Sequence, residues 1–210
     1  MIKILTQPAD NPLFGQSKWW GQPDMPETLE YPEVTVVDED GEEYQDPLTF
    51  LCQIRLEEIA TLDPEGLLPH EGMLYFFAAL DYFLGDIDSP VYPGMGIWQP
   101  QHARVLYSPN LQELHTHTIV YDDGSPVGLP AEAISFAPCS PYDDGNRLLG
   151  GPCIEEVREQ FPELISLLQV EEDDRWGLTF HDCGVLNFLI TPTALLHRQW
   201  EKVQGHLFSF

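Results

Sequence analysis

His115 and His117 flank a single threonine, so on a strand their imidazoles would share one face about 7 Å apart. Zinc would need further ligands, and Cys139 or His102 could supply one only through the fold. With two ligands in view, solvent-exposed or hydrogen-bonded histidines are the commoner explanation. His181 and Cys183 would likewise share a face of an extended backbone, the beginning of a thiolate–imidazole pair. Cys183 abuts a glycine, however, and a packing role is the simpler one. The run Glu171-Glu172-Asp173-Asp174 lacks the spacing and central glycine of a calcium loop, and Asp38-Glu39-Asp40-Gly41 has its glycine too early. Both read as solvated turns. No nucleophile elbow, phosphate loop, dinucleotide fingerprint or zinc-protease helix occurs. Neither a cofactor nor a metal is expected, and an enzyme is the less favoured class.

The remaining polar residues of interest sit inside apolar segments that recur in order. Lys18-Trp19-Trp20-Gly21-Gln22-Pro23 has the pattern of Arg147-Leu148-Leu149-Gly150-Gly151-Pro152. Leu51-Cys52-Gln53-Ile54 matches Leu167-Leu168-Gln169-Val170, and Gly72-Met73-Leu74-Tyr75-Phe76 matches Gly184-Val185-Leu186-Asn187-Phe188. Such collinear self-similarity predicts an internal duplication, with half-repeats over residues 15–121 and 140–210 sharing one core in a single domain of residues 1–210. A glutamine central to each apolar run must satisfy both its oxygen and its amide, so Gln53 and Gln169 are expected to clamp nearby backbone. Lys18 and Arg147 occupy equivalent places. They either pair with local carboxylates or flank the junction as an anion site.

These residues need strands to position them. Short apolar runs punctuated by Gly, Pro or acids read as buried strands. Further strands are expected at 34–37, 103–107, 115–121, 133–137 and 207–210, with a hairpin turn at the Asp40-Gly41 step. Helices are few. Thr191 and Pro192 open one that is expected to run to about Val203 and close at Gly205, burying Leu195, Leu196 and Trp200. A second is expected over 153–160, and a helical turn over 56–60. The fold class is therefore α+β, β-rich, with mostly antiparallel sheets. The stretch from Asp81 to Gln101 has neither period and reads as a long functional loop.

Charge sets the class of partner. The 210 residues carry 9 basic and 35 acidic side chains, a formal net charge of −26, within a composition that is 43% hydrophobic. That apolar content is enough for a packed core, so the charge does not imply disorder. Phosphate backbones and anionic membrane faces are repelled, so neither nucleic acid nor membrane is expected, whereas a basic protein would be steered in. Solubility alone is the plainer reading of the same number. Met1 to Leu5 is too short an apolar run for a signal peptide, and the four cysteines are widely spaced without a close pair. A reducing cytoplasm is the expected location.

The segments Ser17–Pro23, Pro47–Leu56, Gly72–Phe77, Arg147–Pro152 and Leu167–Ile190, the last with its Trp176-Gly177 and Asp182-Cys183-Gly184, together resemble the YwqG-like family of bacterial domains of uncharacterised function. The resemblance implies an α+β fold and an immunity-like or interaction role, and supplies no catalytic residues. The leading expectation is a non-enzymatic protein-interaction module. The alternative is a small-molecule binder or enzyme with a cleft between the half-repeats, near Lys18, Trp19, Trp20, Arg55, Arg147, Trp176 and Asp182.

Overall fold

Residues 73–78, Met-Leu-Tyr-Phe-Phe-Ala, have no polar face, so a strand built from them needs an apolar layer on both sides. The computed structural model, which describes residues 1–38, 40–80, 89, 91–121, 123–141 and 143–210, supplies both layers. Its strands in chain order are β1 (Ile2–Pro8), β2 (Lys18–Trp19), β3 (Asp24–Pro26), β4 (Glu33–Val37), β5 (Glu43–Pro47), β6 (Thr49–Arg55), β7 (Met73–Ala78), β8 (Gly96–Ile97), β9 (Ala103–Ser108), β10 (Leu114–Thr116), β11 (Glu132–Pro138), β12 (Arg147–Leu148), β13 (Ile165–Glu171), β14 (Val185–Ile190) and β15 (Gln204–Phe208). Among the described residues two short helices, α1 (Glu155–Gln160) and α2 (Pro192–Leu196), and a few 3₁₀ turns complete the regular structure. No helix among the described residues is long and apolar enough to cross a membrane.

Eleven strands form one antiparallel sheet in the order β8-β15-β14-β13-β12-β1-β11-β2-β6-β7-β9, and β3–β10 and β4–β5 pair separately. Leu74, Phe76 and Ala78 of β7 face an interior shared with Ile2, Ile4, Trp19, Leu168, Leu186 and Phe188. Met73, Tyr75 and Phe77 face a second, with Val34, Val36, Leu48 and Phe50. The rings of Phe76 and Phe188 meet edge to face at 5.4 Å, so the two arms of the sheet fold toward each other around the larger interior. The far strands also approach. A side chain at Gly205 of β15 would put its Cβ 2.9 Å from that of Ala103 in β9.

At the centre, β1 and β11 pair along their whole length, from Ile2↔Pro138 to Pro8↔Glu132, with Leu5↔Ser135 in the middle. The strand order then reads alike in both directions. β1 continues to β12, β13, β14 and β15, and β11 continues to β2, β6, β7 and β9. The strand that precedes β2 in the chain therefore pairs with β12, and the strand that precedes β12 pairs with β2. Gly21 packs against Ala131 just before β11, and Gly150 against Met1 just before β1.

Several expectations change. The helix from Pro192 ends at Leu196, because Arg198 takes a left-handed conformation (φ 56°). Gln199 N–H then bonds the Ala194 carbonyl and Arg198 N–H that of Leu195, the pattern of a Schellman stop. Leu196 is left exposed, and Gly205 lies in a strand rather than closing the helix. The strand over 115–121 runs only over Leu114–Thr116, and the terminal strand is Gln204–Phe208. Residues 81–88 and 90 of the long loop lie outside the described residues. The start of α2 is as expected: Thr191 Oγ1 accepts the Ala194 N–H at 3.1 Å with Pro192 at the first position. Thr191→Ala is expected to cost about 1 kcal/mol in urea denaturation, and Thr191→Ser to cost little.

Candidate functional site

The two buried glutamines hold the backbone in the same way. Gln53 is fully buried; its Oε1 accepts the Asp24 N–H at 2.8 Å and its Nε2 donates to the Gln16 carbonyl at 2.8 Å. Gln169 accepts the Cys153 N–H at 3.1 Å and donates to the Gly145 carbonyl at 3.2 Å. Relative to the cross-strand partners, Lys18 for Gln53 and Arg147 for Gln169, each clamp takes the carbonyl two residues before and the N–H six residues after. Trp20 and Leu149, both two residues past those cations, share φ near 60°. The flanking bonds match too, with Ser17 Oγ accepting from Arg55 N–H and Asn146 Oδ1 from Glu171 N–H.

The two cations are inside the protein. Lys18 Nζ lies 2.8 Å from Asp24 Oδ2, and Asp24 is fully buried. Asp24 also accepts from Gly15 N–H at 2.9 Å, Gln53 Nε2 at 3.1 Å and Thr116 Oγ1 at 2.8 Å, while the Tyr75 hydroxyl donates to its carbonyl. Burial lowers the Lys18 ammonium and the Asp24 carboxylate opposes that shift. Burial, with the Asp24 charge adding, pushes the Tyr75 phenol up. Arg147 donates to the carbonyls of Pro141, Asp143 and Gly151, each at 3.1 Å. Each cation thus donates to its own chain, while Arg147 Nε is buried without a hydrogen-bond partner among the described residues.

Of the other residues expected near the junction, Trp19, Trp20 and Trp176 form one cluster. Trp176 stacks on Trp19 at 5.6 Å and meets Trp20 edge to face at 5.4 Å. Trp19 and Trp20 are essentially without solvent contact. Arg55 donates to the Gly15 carbonyl at 3.2 Å and sits 3.5 Å from Glu57. Asp182 is exposed and bound to Ser209. Trp20 borders one small pocket, and Trp176 borders another beside Glu132 and Arg175.

The histidine pairs also resolve. His181 and Cys183 both adopt left-handed conformations (φ 71° and 53°), so they are not on one extended face, and Cys183 is exposed instead of packed. In the acidic run, Glu172 is a structural acceptor for the Phe180 and Gly184 N–H groups at 2.5 and 3.0 Å. Asp173 binds Arg175, which holds its carboxyl below the usual range. Among the described residues no group of His, Cys, Asp and Glu is placed to hold a metal ion.

A wide cleft lies over the first arm of the sheet, and the sequence had not gathered its residues. About 660 Å³ in volume, it is lined by Glu27, Glu30 and Glu33, by His115 and His117, and by an apolar floor that includes Met25, Leu29 and Ile119. Among the described residues no lysine or arginine lines it. Tyr31 stacks on His117 at 4.7 Å and donates its hydroxyl to the Leu48 carbonyl, while His115 lies 3.8 Å from Glu27. Every wall comes from residues 25–33, Pro47 and 115–119, the segments that cap the outer face of β6 and β7. The available signal was compositional: residues 19–54 contain no basic side chain.

No curated protein matches this chain. A family defined as a domain of unknown function, DUF1963, matches residues 17–146 and again 139–207, with Gln53 in the first matched segment and Gln169 in the second. Together the two segments cover most of the chain, which belongs to the DUF1963 family.

Proposed function

We propose that this chain is a non-enzymatic interaction module of the YwqG-like kind, in which a duplicated frame carries an acidic cleft for a cationic segment of a protein partner. The cleft is the observation that carries the reading: three glutamates around an apolar floor, with no cation among them, inside a chain of net charge −26. Such a surface steers a basic partner and suits lysine or arginine side chains whose aliphatic stems lie on Met25, Leu29 and Ile119.

A duplicated origin of the frame, part of this proposal, supports placing function there. The matched clamps, the paired left-handed residues Trp20 and Leu149 and the two-way strand order are what two copies of one unit would leave behind, with their leading strands β1 and β11 exchanged. On that reading each unit begins at residue 2 or residue 132, earlier than residues 15 and 140. The frame is common to both units. Among the described residues only the first carries the β3–β5 and β10 cap and hence the cleft, and binding surfaces are commonly built from such added segments on a rigid scaffold. Four unpaired thiols fit a reducing cytoplasm.

The test is a titration with a peptide of alternating arginine and glycine. Exposed ion pairs contribute modestly each, so replacing Glu27, Glu30 and Glu33 together by Gln is expected to weaken binding about tenfold at low salt. Replacing the exposed Glu155, Glu156 and Glu159 of α1 by Gln removes the same charge elsewhere. Equal weakening by both triple variants would show non-specific attraction and end the proposal.

A further inference from the structure

We propose that the pocket beside Trp176 is an arginine-binding site that the chain fills with its own Arg175, and that an arginine side chain of a protein partner is the ligand that takes its place. The pocket, about 290 Å³, is walled by Pro8, Leu129, Pro130 and Ala131, with Glu132, Arg175 and Trp176 as its polar and aromatic members. It lies where β1 ends and β11 begins, beside the paired residues Pro8 and Glu132.

Three observations define the ligand. Trp19 backs the Trp176 ring, and the Arg175 guanidinium lies over that ring at 5.1 Å, the arrangement in which an aromatic face attracts a cation. Trp176 Nε1 donates to Glu132 Oε1 at 3.0 Å, which fixes the carboxylate beside the ring. The other oxygen, Glu132 Oε2, is buried with no hydrogen-bond partner among the described residues, and Arg175 Nη1 stops 4.0 Å short of it. A buried carboxylate oxygen without a donor is costly. An arginine entering at a better angle would supply the missing bond and keep the contact with the ring.

Arg175 can leave without losing its charge partner. Its Nε and Nη2 are held by Asp173 at 2.6–3.1 Å, and over half of its side chain is exposed. It is a weak occupant of the ring face and a strong partner of Asp173. This site shares its ligand chemistry with the acidic cleft but uses different residues, so either can fail alone.

The whole protein is titrated with acetyl-arginine amide while indole fluorescence or indole N–H resonances are followed, and with acetyl-citrulline amide as the neutral isostere. The arginine probe is expected to perturb the Trp176 signal and the citrulline probe to leave it unchanged. Arg175→Ala removes the competitor and is expected to tighten binding about threefold or more. Glu132→Gln keeps the acceptor for Trp176 but loses the charge, and is expected to weaken binding about tenfold. Arg175→Gln, which keeps a donor for Asp173, replaces the alanine variant if that one folds poorly. Lys202→Ala controls for loss of one positive charge. The inference is overturned if Lys202→Ala tightens binding as much as Arg175→Ala, if Glu132→Gln has no effect, or if citrulline binds as well as arginine.

Discussion

Asp24→Ala is expected to remove about 3–5 kcal/mol of stability, read as a fall in the urea midpoint at constant slope. The side chain is fully buried and is the single acceptor on which Gly15 N–H, Lys18 Nζ, Gln53 Nε2 and Thr116 Oγ1 converge. Its removal leaves a nearly buried ammonium without a counter-charge. Three of these bonds tie β2, β6 and β10 to β3 and the fourth ties the loop before β2, so Met25, Pro26 and Thr116 on the cleft wall should loosen with it. The sign of the pH effect follows from Lys18. Burial already lowers its proton affinity in the folded protein, and without Asp24 the opposing influence is gone. The unfolded chain then binds the extra proton, so the variant should regain stability as pH rises toward the ordinary lysine value of about 10.4. Lys18→Met in the Asp24→Ala background should recover a substantial part of the loss, because a buried charge without a partner costs more than an apolar side chain. A loss under about 1 kcal/mol, or no recovery in the double variant, would mean that the network is solvated and not a buried ion pair.

Contiguous apolar runs made much of the frame legible in the sequence. The segments around Gln53, Met73, Gln169 and Val185 are strands because they contain little that tolerates water, and the glutamine within two of them forces the clamp. Strand β1 was not legible. Its seven residues are short and half exposed, and its partner β11 lies some 130 residues away, so nothing local announces the pairing. Gly205 reads as a helix stop by sequence, yet its role is a close approach to Trp98 and Ala103. Arg198 in a left-handed C-terminal position has no propensity signal at all. The cleft was hidden for a related reason. Glu27, Glu30 and Glu33 come from a non-helical segment, and only the pairing of β3 with β10 brings His115 and His117 to them. Glu132 and Arg175 are separated by 43 residues and meet because β11 starts where the loop after β13 turns back. Lys18 and Arg147 stood out in the sequence by their like pattern, and each pairs across strands with a clamp glutamine, but the sequence left open whether they faced a ligand or the chain.

Gln53→Leu and Gln169→Leu are each expected to destabilise the fold by about 2–4 kcal/mol. Each glutamine is fully buried, and each change removes the acceptor of one backbone N–H and the donor of one carbonyl. Leucine is close in size, so cavity formation contributes little and the cost is that of backbone groups stranded away from water. The comparison between the two sites is the sharper measurement. Gln53 also donates to Asp24 and Gln169 to Glu171, so both lose a carboxylate contact as well. Among the differences between the surroundings, the charged one is that Asp24, six residues after Lys18, forms an ion pair with it, where Cys153 stands six after Arg147. If the two sites descend from one ancestral clamp, the penalties should agree to within the contribution of that single ion pair. A neutral Gln169→Leu beside a damaging Gln53→Leu would mean that the likeness is geometric only. Equal penalties, by contrast, would locate the asymmetry of the molecule in what was added to the frame, the cap and its acidic cleft, and not in the frame itself.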